Sequence, residues 1–486
     1  MEPIMQPNDT SKIPDLGSYR TYRGLPPLAG LCSMQDAVSR VWSVEESTER
    51  LKRLHYVVRR LYETFAARIT AEPIYELKTA FSHHAYLCSE QVTSIRKRVS
   101  EMREPPLGLD RIPHQGLERL MDEVIAAPTT ELLVLGLYEV VVPAMRAACE
   151  TLAIDAHPLA DAPTVRLARL IDFDFTAIED FGTQAVACLV NAVQRQESRA
   201  WLDMLNACLQ AAGGLDGTQP SDASVPAAIY SAQVYKYDGM PKRDERFIDS
   251  FNAGVNPEAF LYDEDYAPRD KTLMMYYKRL REIDVPEMMA SILIEIQDKP
   301  WEFHMEMCRQ LWDEARHAMM GEVGFASLGI DWSKIPINFT WSRNLNTQLT
   351  AQERHGVLFF IEQGLMPKTG KRFEWEVGVA SGSPLSALFQ DFDWADEVLH
   401  AQIGRRWYVP QFKSLRESLE YGDKCWSKVV SHWGAYRDQG LTTHRNWWPD
   451  VYQEACQRWG VQPDPLALAF HETYETQRAD LKALKT

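Results

Sequence analysis

Leu311-Trp312-Asp313-Glu314-Ala315-Arg316-His317-Ala318 and Trp394-Ala395-Asp396-Glu397-Val398-Leu399-His400-Ala401 are the two stretches on which the reading of this chain turns. Each holds a Glu-x-x-His, and in each an Asp stands directly before the Glu. Positions three apart on a helix are neighbours on one face, so the carboxylate and the imidazole can share one metal ion. Neither stretch has the second His of a zinc-protease helix. Composition alone yields about one accidental Glu-x-x-His among the chain's histidines, so the weight lies in two copies with the same preceding Asp.

Position adds to pattern. Pro300 and Pro384 suit the first turn of a helix, and Ser383 is a natural cap for the second. Glu314 and Glu397 follow those prolines at nearly equal separations, which puts both pairs about 20 Å along their helices. A dinuclear carboxylate site also needs one Glu from each of two further helices. Before the second motif, Glu362 lies in line with His355, Leu358 and Phe359, on an apolar face where a carboxylate needs a partner. Glu353 reads instead as the far end of a capping box that starts at Thr350. Before the first motif, Glu287 shares a stripe with Leu280, Ile283, Ala290 and Ile294. Glu282 shares its face with Lys278 and Arg279, which points to solvent, so periodicity places Glu287 ahead of Glu282.

The ordered pattern of Glu287, Glu314/His317, a crossover through 329–349, Glu362 and Glu397/His400 resembles the ferritin-like di-iron carboxylate proteins over about residues 270–412. Asp396 to Trp407 and Ile361-Glu362-Gln363-Gly364-Leu365 look most like an uncharacterised branch of them. The Asp before each motif is similar to bacterial multicomponent monooxygenases, where it hydrogen-bonds the histidine of the opposite motif. That resemblance implies pairs Asp313–His400 and Asp396–His317, which would fix the imidazole tautomers. Arg316 is a candidate to hold those carboxylates, or else a surface ion pair. Gly321 stands where the radical-bearing ribonucleotide reductase subunit has its Tyr, and the length fits storage ferritin poorly.

Working outward, the remaining sequence is helical at three-four spacing, with no hairpin-bounded strands, and the fold class is all-α: a ferritin-like four-helix bundle carrying a dinuclear site, preceded by a degenerate second bundle. The expected divisions are a Pro/Gly-rich wrap at 1–35, a metal-free bundle at 36–200, a connector with a loose loop at 201–268, the di-metal domain at 269–412 and a Trp-rich tail at 413–486. The degenerate copy rests on Asp172-Phe173-Asp174-Phe175 matching Asp391-Phe392-Asp393-Trp394, which sets Ile178 and Phe181 under Glu397 and His400, and on Pro73 matching Pro300, which sets Leu87 and Glu90 under Glu314 and His317. Tyr138-Glu139 then matches Ile361-Glu362. His83 and His84 are adjacent, point about 100° apart on a helix, and read as structural.

A net charge of −16 disfavours nucleic-acid and anionic-membrane partners. No basic-apolar leader and no run of 18 apolar residues is found, and the eight scattered cysteines suit a reducing compartment, so a cytoplasmic protein is expected. Oxygen and nitrogen ligands suit iron or manganese rather than copper(I). The expected cofactor is a pair of iron ions, with Mn/Fe or Mn/Mn as alternatives. The expected function is an O2-activating oxidase or oxygenase acting on a small organic substrate. The alternative is a non-catalytic metal-binding or scaffold protein whose di-metal site is structural. An electron-donor protein and a second copy of the chain are the candidate macromolecular partners. Met319, Met320, Phe359 and Phe360 are candidate walls of a dry pocket, although such spacing more often builds plain core.

Overall fold

In the computed structural model, residues 15–103, 108–221, 224–367, 370–430 and 433–473 are described. Their regular structure is helical, with an irregular stretch after Ala211 up to Pro257, and the only β pairing among them is an isolated bridge between Val255 and Thr473. The all-α expectation holds. The chain divides into two compact units: Met1–Thr64 with Leu87–Lys236, and Phe65–Tyr86 with Tyr237–Thr486. Helices of eight or more residues are numbered in chain order, and α1 (Val44–Ala71) and α2 (Tyr75–Ser100) contribute residues to both units.

The first unit adds α3 (Gln115–Ile125), α4 (Thr130–Asp155), α5 (Ala162–Leu189) and α6 (Ala192–Ala211). Its core is built from Leu51, Leu54, Val92, Leu120, Met145, Ile171, Phe175 and Leu205. Residues Gly136–Val141 form a π-helical turn inside α4, and this contains Tyr138-Glu139. Helix α4 is long and apolar enough to cross a membrane by composition, although 67% of its most apolar window is buried in protein. Ile178, at the position matched to Glu397, is fully buried, and Tyr138 packs edge-on to Phe181. The 212–221 stretch is irregular, as its glycines imply. It is also tethered: the Arg53 guanidinium donates to the carbonyls of Ala212, Gly214 and Leu215.

The second unit carries α7 (Pro268–Leu280), α8 (Asp284–Glu295), α9 (Trp301–Ser327), α10 (Thr340–Gln348), α11 (Ala351–Gly364), α12 (Lys371–Ala380), α13 (Pro384–Trp407), α14 (Leu415–Val430) and α15 (Trp448–Trp459). Local sequence sets the ends. Ser383 caps α13 with Pro384 in its first turn, Pro300 precedes α9, and Thr350 and Glu353 close a reciprocal capping box on α11. Helix α8 packs on α9, α9 on α13, α13 on α11 and α11 back on α8, which closes a ring of four. The Trp-rich tail completes this core. Trp447 and Trp448 are buried, Trp447 against Tyr277 and Trp448 stacked on Tyr452.

Two glycines let the ring close tightly. A Cβ at Gly321 of α9 would overlap the backbone of Tyr276 and Leu280 in α7, and one at Gly404 of α13 would overlap the Phe359 ring of α11. Each glycine lies one helical turn past a motif histidine, Gly321 where α9 meets α7 and Gly404 where α13 meets α11.

Candidate metal centre

Glu314 and His317 come from the middle of α9, Glu397 and His400 from the middle of α13, and Glu362 from the last turn of α11. The fourth segment is a 3-10 turn, Arg281–Ile283, that joins α7 to α8 and carries Glu282. Two overlapping groups result: Glu282, Glu314, His317 and Glu397; and Glu314, Glu362, Glu397 and His400. Within each group one ligand atom per residue lies within 4.8 Å of all the others. The two imidazole centroids are 5.9 Å apart. Glu314 directs Oε2 at His317 Nδ1 (3.6 Å) and Oε1 at His400 Nδ1 (3.1 Å), so it spans both groups.

Glu287 is not part of this cluster, which corrects the sequence expectation. It is fully buried, as its stripe implies, but it faces a different interior. Arg243 donates to both of its oxygens (3.2 and 2.9 Å), Lys78 lies 3.0 Å away, and Ser342 Oγ donates at 2.6 Å. Glu282 takes the place for a reason written in the chain. Pro286 has no N–H to offer the Glu282 carbonyl four residues earlier, and its ring crowds that carbonyl. The helix tightens there to a 3-10 turn, and extrapolating a 3.6-residue period across it misplaces Glu282. The neighbouring cations do not mark solvent either. Arg279 is fully buried and Lys278 nearly so, paired with Glu282, Glu374 and Asp393.

The decisive observation is what the cluster leaves unmade. Glu282 Oε2, Glu314 Oε1, His317 Nδ1, Glu362 Oε2, Glu397 Oε2 and His400 Nδ1 are all buried and converge on one another, at 3.1 Å for His400 Nδ1 to Glu314 Oε1 and 3.4 Å for His317 Nδ1 to Glu282 Oε2, without a well-aligned hydrogen bond among the described residues. Orphaned buried polar atoms are rare in native proteins because each forfeits its solvation. Here one such atom from each of six residues turns toward the same space, and together they offer oxygen and nitrogen donors that can hold metal. The opposite edge of each imidazole is held. His317 Nε2 lies 3.2 Å from Asp396 Oδ2 and His400 Nε2 lies 3.3 Å from Asp313 Oδ2, which leaves Nδ1 facing the cluster. Arg316 donates to both aspartates, at 2.8 Å to Asp396, and Arg309 grips both oxygens of Asp313.

Electrostatics follow from these contacts. Burial opposes charge on His317, but Asp396, Glu282 and Glu314 raise it to about 10, and Asp313, Glu314 and Glu397 likewise raise His400 well above its ordinary value. Burial, reinforced by the Glu397 and Glu314 carboxylates, pushes Glu362 well above the carboxylate range. Burial would raise Glu282 too, but the Arg279 guanidinium and Lys371 ammonium outweigh it and hold Glu282 low. Asp313, with His400 and Arg316 beside it, is likewise held down against burial, to about 2.

Several groups at the centre escape sequence reasoning. Lys371, at the start of α12, carries no motif, yet its ammonium sits 2.8 Å from Glu397 and 2.9 Å from Asp393. Gln310 donates to Glu362 at 3.1 Å. Asp393 and Gln310 had a signal available, since each lies four residues before a motif Glu and therefore on its face. His83 stacks on Trp312 at 4.5 Å, and His84 is buried against Phe65, which fits their structural reading.

A cavity of about 390 Å³ opens onto the cluster. Glu282, Glu314, Glu362 and Glu397 form one side; Met288, Trp341, Leu345, Leu358, Ile361, Leu365 and Trp426 form the apolar wall; and Lys278, Arg281, Glu258 and Asp284 supply charge. Met319, Met320, Phe359 and Phe360 are not among its lining.

No protein-family model, curated protein or solved structure matches this chain. The buried carboxylate and histidine group can hold metal, and that statement rests on its geometry alone.

Proposed function

We propose that the cluster holds two iron ions and that the chain is an oxidase or oxygenase of the ferritin-like di-iron carboxylate kind, acting on an apolar organic substrate. Glu282 and His317 would serve one ion and Glu362 and His400 the other, with Glu314 and Glu397 shared. Four carboxylates against two divalent charges make the set nearly neutral, and a mixed oxygen and nitrogen donor set suits iron or manganese. Such a pair, when bound, supplies O2 reduction coupled to oxidation of a neighbouring molecule.

The cavity supports this reading over a purely structural centre. Structural metal sites are closed, whereas catalytic ones keep a face open to substrate. Here four candidate ligands line a chamber that also carries a cluster of apolar side chains with Lys278, Arg281, Glu258 and Asp284 among them, of a size suited to a small organic molecule. The chain's own residues do the positioning: Asp313 and Asp396 hold the imidazoles, Arg316 ties those aspartates together, and Trp, Leu and Ile side chains give the chamber its apolar surface. An electron-donor protein would supply reducing equivalents, and a cytoplasmic setting suits eight cysteines of which none is in a disulfide.

Anaerobic loading with Fe(II) followed by exposure to air tests the proposal. Oxygen consumption with a new near-ultraviolet charge-transfer absorption is expected, and both should vanish in Glu314→Ala and His400→Ala. Stoichiometric uptake with no reaction toward O2 would replace the catalytic reading with a structural one.

A further inference from the structure

The two halves of the cluster are dressed differently. Lys371 Nζ, fully buried, lies 2.8 Å from Glu397 Oε1, 2.9 Å from both Asp393 oxygens and 4.0 Å from Glu282 Oε1. Arg279, also fully buried, pairs with Glu282 Oε1 at 2.9 Å and with Asp393. Asp393 in turn lies 3.5 Å from His317 Nδ1. Glu374, fully buried, lies 3.9 Å from Arg279 and is also held by Lys278. Three cations (Lys371, Arg279 and Lys278) thus face two buried carboxylates outside the ligand set (Asp393 and Glu374), which leaves a net positive charge beside the position formed by Glu282 and His317. On the other side, Glu362 takes a hydrogen bond from the neutral Gln310, and no lysine or arginine among the described residues pairs with it. Beyond the imidazoles each side has one aspartate with Arg316 between them, and the partly exposed Arg309 adds a second cation that grips Asp313 more closely (2.9 and 3.0 Å) than Asp396 (3.8 Å).

Resting on the dinuclear reading above, we infer that the two metal positions load unequally: the Glu362/His400 position fills first and tightly, and the Glu282/His317 position fills second and weakly because Arg279 occupies Glu282 and Lys371 occupies Oε1 of the shared Glu397, whose other oxygen, Oε2, is the one nearer His400. Lys371 acts here through Glu397 and Glu282, as an internal counter-ion that an entering cation must work against. A buried unit charge facing a divalent ion a few ångströms away changes affinity by more than about tenfold even at an effective dielectric of about 20.

Titration of the metal-free, full-length protein with Mn(II), reading free Mn(II) by electron paramagnetic resonance, tests this. Two steps separated by about tenfold or more are expected. His400→Ala should remove the tight step and His317→Ala the weak one. Lys371→Met should tighten the weak step by about tenfold or more and leave the tight step in place, while Lys371→Arg keeps the wild-type separation. Lys371→Gln repeats the measurement if Lys371→Met fails to fold, as judged by circular dichroism. Equal steps in the wild type, an unchanged ratio in both neutral variants, or loss of the tight step in His317→Ala would overturn the inference while leaving a dinuclear centre standing. Absence of any Mn(II) uptake would retire the dinuclear reading itself, and this inference with it.

Discussion

Glu282 and Glu287 stand five residues apart on one helical stretch, Glu287 fully buried and Glu282 15% exposed at the cavity, and they have opposite fates. Glu287 is saturated: Arg243, Lys78 and Ser342 satisfy both of its oxygens. Glu282 has one oxygen on Arg279 and the other facing His317 without a hydrogen bond. Burial of a carboxylate therefore says only that something must compensate it. The difference between a structural ion pair and a ligand lies in whether the compensation is complete within the protein. By that criterion Glu314, Glu362, Glu397, His317 and His400 resemble Glu282: each leaves a buried atom without a hydrogen bond, and the group can hold metal.

The sharpest way to break the comparison is to remove a shared ligand. Glu314→Ala should abolish binding of both ions, and Glu282→Ala only one, as read by the metal-to-chain ratio after equilibrium dialysis. Glu287→Ala should give the converse: an unchanged ratio, but a loss of about 3–5 kcal/mol of stability in chemical denaturation of the metal-free protein, because Lys78 and Arg243 are left buried without a counter-charge. Next in size come the aspartates that hold the imidazoles. Asp313→Asn and Asp396→Asn should each weaken metal affinity by about 10–100-fold.

Acidity sharpens the contrast further. His317 is held protonated up to about 10 and His400 also well above its ordinary value, so each must shed a proton to bind metal. Affinity should therefore rise with pH by about tenfold per unit for each proton displaced, with acid release detectable in weakly buffered solution. Metal-free protein should behave in the opposite sense. A raised histidine value stabilises the fold fully below its unfolded value and loses that contribution as pH climbs toward 10, so apparent stability should fall over that range unless metal is present. The smallest effect is expected from Gly321→Ala, which would push α9 off α7 at about 1–3 kcal/mol and loosen the Glu282 side more than the Glu362 side.

Much of the centre was legible before any coordinates. Glu-x-x-His is a local spacing and survives wherever the helix is regular, which is why Glu314, His317, Glu397 and His400 could be named, and Glu362 followed from an acid on an apolar face. The all-α class followed from the same periodicity. Legibility ended where the period did. Pro286 tightens the turn at Glu282, and a rule built on 3.6 residues per turn carries the eye past it to Glu287. Lys278 and Arg279 were read as a solvated face because single lysines and arginines usually are. Here they are buried because Glu374, Asp393 and Glu282 await them, and those partners are brought together only by tertiary packing. Lys371, for the same reason, carries no sequence signal at all.

Crystals grown with Mn(II) or Fe(II) and measured at the metal's absorption edge offer the most direct test of the six-residue centre. Two anomalous peaks about 3.5–4 Å apart, lying between His317 Nδ1 and His400 Nδ1 and reached by Glu282 but not by Glu287, are expected. A peak seated on Glu287, or a fully loaded crystal with no density between the two histidines, would contradict it.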